Sequence, residues 1–136
     1  MANFAAIMAN RGYFIDPNLV LEIDGEKLSR PNKNYVDIDR DHFDYVVDAM
    51  EEVVVSGSAR RAYMKELEIC GKTSTVQNPH GYDHSGFIGF APKNEPKIAI
   101  AAYIENSGWG GRSAASIASL AAEKYIFKSI KRSWLE

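Results

Sequence analysis

The chain has 136 residues, enough for one domain or part of one; 46% are hydrophobic, enough to build a core, and 25% are charged, which is ordinary. A formal net charge of −2 gives no electrostatic case for nucleic acid. The single cysteine, Cys70, excludes an internal disulfide and a cysteine-rich metal site, and no apolar run is long enough to span a bilayer.

The Met1-Ala2-Asn3-Phe4 start lacks the basic region of a signal peptide, so the targeting segment of an exported parent is expected to lie outside this chain. Phe4, Ile7 and Met8 fall at helical spacing and predict a helix over about 2–11, with Gly12 as its C-terminal cap. That helix begins without a capping residue before it. This is the mark expected of a cut piece, and residues 1–136 read as a single partial domain. Residues 13–38, with Asp16-Pro17-Asn18 and Arg30-Pro31-Asn32, read as irregular, with a short strand near Leu19–Ile23 and a turn at Asp24-Gly25. Asp39 is placed to cap a helix over 39–55, on which Phe43, Val46, Val47, Met50, Val53 and Val54 form one apolar stripe. Ser56-Gly57-Ser58 ends it, and Ala59–Met64 reads as a further helical turn.

From Glu66 the period changes to two. A strand over 66–77 would place Leu67, Ile69, Gly71, Thr73 and Thr75 on one face. Turn residues at 78–83 and 92–96 separate it from strands at 84–91 and 97–105. In the last strand Ile98, Ile100 and Ile104 share one face and Ala99, Ala101 and Tyr103 the other, so covering on both faces is expected. A Gly-rich loop at 106–111 leads to a closing helix over 111–128. Ala114, Ile117, Ala118, Ala121 and Tyr125 lie on one side of it, and Lys128, Lys131 and Arg132 near its negative end. The fold class is α+β, an antiparallel sheet flanked by helices.

The stretch Cys70-Gly71-Lys72-Thr73-Ser74-Thr75-Val76-Gln77 carries the chemistry. A Lys, a hydroxyl residue, a small residue and a second hydroxyl residue follow one another in a strand, a variant of the Lys-Thr-Gly mark of serine acyl-transfer enzymes that bind β-lactams. Ser74 stands where Gly is usual. The companion Ser-x-x-Lys is absent from any setting suited to a nucleophile, and no Ser-x-Asn precedes the stretch. At this octet and at His84-Ser85-Gly86-Phe87-Ile88-Gly89-Phe90-Ala91-Pro92, the chain resembles the transpeptidase domain of class B penicillin-binding proteins, above all those of the elongation type. Met8–Gly12, Met50–Ala59, Ala99–Glu105 and Gly110–Ala122 agree in the same order.

The resemblance implies the C-terminal portion of the penicillin-binding protein transpeptidase, or serine β-lactamase-like, fold. It implies a parent that cross-links peptidoglycan stem peptides at D-Ala–D-Ala by serine acyl transfer and binds β-lactams. This part alone is expected to be inactive for want of the nucleophile. On this footing Lys72 supplies charge and a proton relay, Thr73 and Ser74 belong to the substrate clamp, and Thr75 contributes a backbone N–H to the oxyanion hole as well as a substrate contact. The implied partners are the stem peptide, β-lactams, the upstream part of the same transpeptidase and the elongation cell-wall machinery, at the extracytoplasmic face of the bacterial inner membrane. The exposed sheet edge also suggests a homodimer of the fragment. The alternatives are a non-catalytic peptide- or partner-binding module that keeps the clamp strand, or a β-lactam sensor or serine β-lactamase relative.

No cofactor or metal is expected. His80 and His84 with Asp83 between them sit in a turn rather than on one helix face. Gly110-Gly111 lacks the phosphate-loop Lys and hydroxyl residue. Cys70 reads as a packed thiol because nothing supplies a base. Tyr103 and Trp109 read as packing residues, with Trp109 a candidate for the far side of the cleft.

Overall fold

A computed structural model describes residues 1–29 and 31–132; Arg30, part of the stretch read as irregular, lies outside them. Helix α1 spans Ala2–Ala9 and ends two residues earlier than the periodicity suggests. Its stop is a Schellman-type cap: the N–H of Gly12 donates to Ile7 O at 3.0 Å and that of Arg11 to Met8 O at 3.2 Å. Arg11, not Gly12, is the left-handed residue directly after the cap, with φ +54. Its side chain offsets that strain with bonds to Asp44 Oδ1, Ala9 O and Lys93 O. Gly12 is still required, since its φ of +110 is one that side chains rarely adopt, and a Cβ there would also press on the Phe43 ring at 3.1 Å.

The stretch read as irregular contains two small antiparallel pairs. Strand β1 (Tyr13–Ile15) pairs with β4 (Lys33–Tyr35), and β2 (Glu22–Ile23) with β3 (Glu26–Lys27). Asp24 and Gly25, both at positive φ, make the tight turn between β2 and β3. Leu19 and Leu21 lie outside any strand and are exposed, so the strand expected from Leu19 is only its last two residues.

Helix α2 (Arg40–Val55) starts at Asp39, but the Asp39 carboxylate makes no capping bond; Asp41 supplies the negative charge in the first turn. The buried stripe is Phe43, Val47, Met50 and Val54. Val46, expected on that stripe, stays 43% exposed. A short 3-10 helix at Arg60–Ala62 follows.

The central sheet is an antiparallel meander of β5 (Cys70–Val76), β6 (His84–Ala91) and β7 (Ile98–Ile104), in that spatial order. β5 begins at Cys70 rather than Glu66. Glu68 has φ +47, so Leu67 and Ile69 are buried from a turn and not from the strand. Register sets the two faces. Thr73 lies opposite Phe87, which lies opposite Ala102; Cys70 lies opposite Phe90, which lies opposite Ala99. The first face packs with Leu67 and Val54 beneath helix α3 (Ala114–Phe127). The second packs on α1 and α2 through Met8, Phe43 and Met50.

Helix α3 starts three residues later than expected, and its buried face is rotated. Ala114, Ala115, Ala118, Ser119 and Ala122 are fully buried, while Ile117 and Tyr125 are each 52% exposed. Small side chains let the helix backbone approach the sheet, and the larger ones are turned outward. Glu123 is buried with them; Arg132 Nε donates to it at 2.8 Å.

Candidate active site

The octet lies on an edge strand, and the two-residue period of that strand sorts its side chains. Thr73 and Thr75 face a cleft of about 600 Å³ closed by the end of α2, the 3-10 turn and the loop before α3. Within it Thr73 Oγ1 and Ser58 Oγ share a hydrogen bond of 2.7 Å, and Gly110 N–H donates to Thr75 Oγ1 at 3.4 Å. Trp109 forms another wall.

Lys72 and Ser74 lie on the opposite face of β5. Lys72 Nζ donates to Thr73 O at 2.9 Å and stands beside an apolar concavity lined by Phe4, Met8, Val46 and Ile88. Ser74 Oγ lies over Gly86, where a Cβ would collide with it. The four residues assigned together from sequence are therefore consecutive on one strand but split between two surfaces. Two hydroxyls open onto the cleft, while the ammonium and the third hydroxyl lie behind it.

The cleft depends on close backbone approach. A Cβ on Gly110 would strike Ser74 O and Gly86 O, and one on Gly111 would strike Ser58 O. The loop is also pinned from below by Ser85, fully buried, which donates to Trp109 O at 3.3 Å and accepts from Ala114 N–H at 2.9 Å. So Gly110-Gly111, read from sequence only as a loop, is the piece that seats α3 against the strand. Ser58, Arg60, Arg61 and Arg112 were missed as cleft residues. The signal available was Ser-Gly-Ser-Ala-Arg-Arg after the α2 stripe, but nothing local says that it folds back onto β5.

The remaining candidates have structural partners. Cys70 is fully buried, and burial, reinforced by the Glu51 carboxylate, pushes its thiol up to about 12. A thiolate is thereby disfavoured. Asp83 accepts from Asn78 N–H, and His84 Nδ1 accepts from Asn106 N–H at 3.0 Å, so both order the turns at one end of the sheet.

Comparison with known proteins gives a consistent picture. A family model described as penicillin binding protein transpeptidase domain matches residues 1–123. Peptidoglycan D,D-transpeptidase MrdA of Acinetobacter baumannii is 31% identical over 134 residues, covering 84% of this chain and 20% of that protein. Peptidoglycan D,D-transpeptidase PbpA of Mycobacterium tuberculosis is 31% identical over 131 residues, covering 85% of this chain and 26% of that one. Among solved structures, Pseudomonas aeruginosa PBP2 superposes with a TM-score of 0.75 at 31% identity, over 99% of this chain and 31% of the other. The D,D-transpeptidase domain of an Eggerthella lenta peptidoglycan glycosyltransferase gives 0.76 at 26% identity, over 93% and 31%. The chain thus spans about a fifth to a quarter of the length of the curated relatives it matches.

Proposed function

The chain belongs to the penicillin-binding protein transpeptidase domain family, and we propose that it is the clamp-bearing part of a PBP2-like peptidoglycan D,D-transpeptidase. The observation that carries this reading is the pair of hydroxyls, Thr73 and Thr75, presented side by side along an edge strand into a cleft of ligand size. They receive the terminal carboxylate of a D-Ala–D-Ala stem peptide, or the carboxylate of a β-lactam. Ser58, bonded to Thr73, holds that hydroxyl in place.

The reaction is acyl transfer from D-Ala–D-Ala to an amine of another stem peptide. A serine hydroxyl attacks the penultimate carbonyl, and the terminal D-Ala leaves as the protonated amine. An acceptor amine then takes the acyl group and frees the serine. That serine comes from a part of the transpeptidase outside these 136 residues. Lys72 serves it from the far face of β5, where its ammonium lowers the cost of developing negative charge and assists proton movement. The Thr75 N–H, with the N–H of the serine, stabilises the tetrahedral oxyanion. Ser74 shapes the strand rather than touching substrate, because its hydroxyl lies over Gly86. The apolar concavity around Lys72 is the surface on which the rest of the transpeptidase rests. The assembled enzyme works outside the cytoplasm with the elongation cell-wall machinery. Among the described residues, no helix is long and apolar enough to cross a membrane.

Two measurements test this. In the isotope-labelled chain, N-acetyl-D-Ala–D-Ala should shift the amide resonances of Thr73, Thr75 and Gly110; shifts confined elsewhere would refute the clamp. Fluorescent penicillin should label the full-length gene product and leave the 136-residue chain unlabelled. A stable adduct on the short chain would mean that it holds its own nucleophile.

A further inference from the structure

The cleft carries more positive charge than a one-carboxylate clamp requires. Arg60, Arg61 and Arg112 all line it, and none of its lining residues is acidic. Among the described residues, none of these three guanidiniums is in an ion pair, although the other ion pairs of the chain use Arg11, Arg40, Lys93 and Arg132. This local excess stands in a chain whose net charge is −2.

The arginines are also held in place by their backbone. Arg60 and Arg61 sit on the 3-10 turn, and buried Arg132 grips that turn from behind by donating to Ala62 O at 3.1 Å. Arg112 N–H donates to Trp109 O at 2.9 Å, two residues before α3 begins, so the positive end of that helix adds to the same field. Guanidinium groups on a fixed backbone, in a cleft of ligand size, suit bidentate capture of carboxylates.

Resting on the transpeptidase reading above, we infer that this cleft has a second anionic subsite, made by Arg60, Arg61 and Arg112. It selects stem peptides that bear a further carboxylate on a side chain upstream of D-Ala–D-Ala. The terminal carboxylate sits on the Thr73 and Thr75 hydroxyls. The second carboxylate sits on the arginine wall. The specificity is for an acidic peptide over its amidated counterpart.

The test uses the 136-residue chain and three N-acetylated tripeptides: Glu-D-Ala–D-Ala, Gln-D-Ala–D-Ala, and Glu-D-Ala–D-Ala with an amidated C-terminus. Affinities are read from amide shifts at low salt and at about 1 M salt, where the Debye length falls to about 3 Å. The acidic peptide should bind roughly 10- to 100-fold more tightly than the Gln peptide, since each of the three exposed guanidiniums contributes roughly 2- to 5-fold. High salt and the R60Q/R61Q/R112Q triple variant should both erase that ratio, and the corresponding Arg→Lys triple variant should restore part of it. Equal affinity of the Glu and Gln peptides, with cleft shifts for both, would overturn the subsite and leave the clamp standing. Arginine-dependent binding of the amidated Glu peptide as strong as that of the free acid would sink the clamp and keep the subsite. No cleft shifts with any of the three would overturn both.

Discussion

At the scale of single residues, the strand period decides which side chains can touch a ligand. Thr73 faces the cleft and shares a hydrogen bond with Ser58, whereas Lys72 lies across the strand. Thr73→Val keeps the shape and removes one hydroxyl. A hydrogen bond to a charged group contributes about 1.5 kcal/mol or more, so β-lactam acylation of the full-length product should slow about tenfold. Stability should change by no more than about 0.5 kcal/mol, because Ser58 is exposed and its hydroxyl regains water. Unchanged acylation kinetics would remove Thr73 from the clamp. Lys72→Ala should slow acylation further, since it deletes the charge itself. Gly111 probes the same cleft from the other wall. A Cβ there would strike the backbone carbonyl of Ser58 and approach the Thr73 methyl, so Gly111→Ala should destabilise by roughly 1–3 kcal/mol and open the cleft. Gly108→Ala meets open space and bears only the strain of φ +77, about 1–2 kcal/mol, so it should leave the cleft as it is. Amide resonances of Ser58 and Thr73 left unmoved by Gly111→Ala would disprove the close-approach argument.

At the scale of elements, patterning and tertiary contact divide the explanation. The three long strands and the α2 stripe were legible because period two and period 3.6 each run for several residues there. The pairs β1–β4 and β2–β3 were hidden because strands of two or three residues are too short to show alternation. The face of α3 was misassigned for a different reason. Its apolar residues occur almost all round, so the sequence does not choose between Ile117 with Tyr125 and Ala115 with Ala122. The choice is made by close packing on the sheet and by buried Glu123. That carboxylate is also the main electrostatic anchor of the last segment. Burial pushes its pKa up, but the Lys131 N–H and the Arg132 guanidinium outweigh burial and hold it below its ordinary value of 4.5. A carboxylate depressed in the folded state stabilises above that ordinary value, and the contribution is lost as pH falls through the folded one. Glu123→Gln leaves Arg132 buried without a counter-charge and should cost roughly 3–5 kcal/mol near neutrality. The gap between wild type and variant, followed by urea unfolding, should narrow steadily below about pH 4.5. A gap that widened or stayed level in acid would contradict the assignment.

At the scale of the whole molecule, the sheet is covered unequally. One face is closed by α3 around Phe87 and Leu67. On the other, α1 and α2 cover Cys70 and Phe90 but leave two adjoining apolar concavities, of about 300 and 360 Å³, that share Phe4, Met8 and Val46. The sequence announced this surface without revealing it. Val46 falls on the apolar stripe of α2 yet remains 43% exposed, and Phe4, on the apolar side of α1, is 54% exposed. An apolar residue at a core position that stays in water is consistent with a surface completed by more chain, and this chain covers only 20% and 26% of the two relatives compared above. Lys72 sits on that same surface, so whatever covers Val46 also approaches the ammonium. The two contexts should therefore respond differently to one substitution. In the 136-residue chain, Val46→Glu should leave the unfolding midpoint nearly unchanged and reduce concentration-dependent association in sedimentation velocity. In the full-length product the same change buries a carboxylate where about 1.5 kcal/mol or more of valine burial is expected, so it should lower thermal stability by several degrees and slow penicillin acylation through Lys72. If both contexts lose stability equally, Val46 belongs to the core of this chain. If neither responds, the concavity is an ordinary piece of surface and the nucleophile must reach Lys72 by another route.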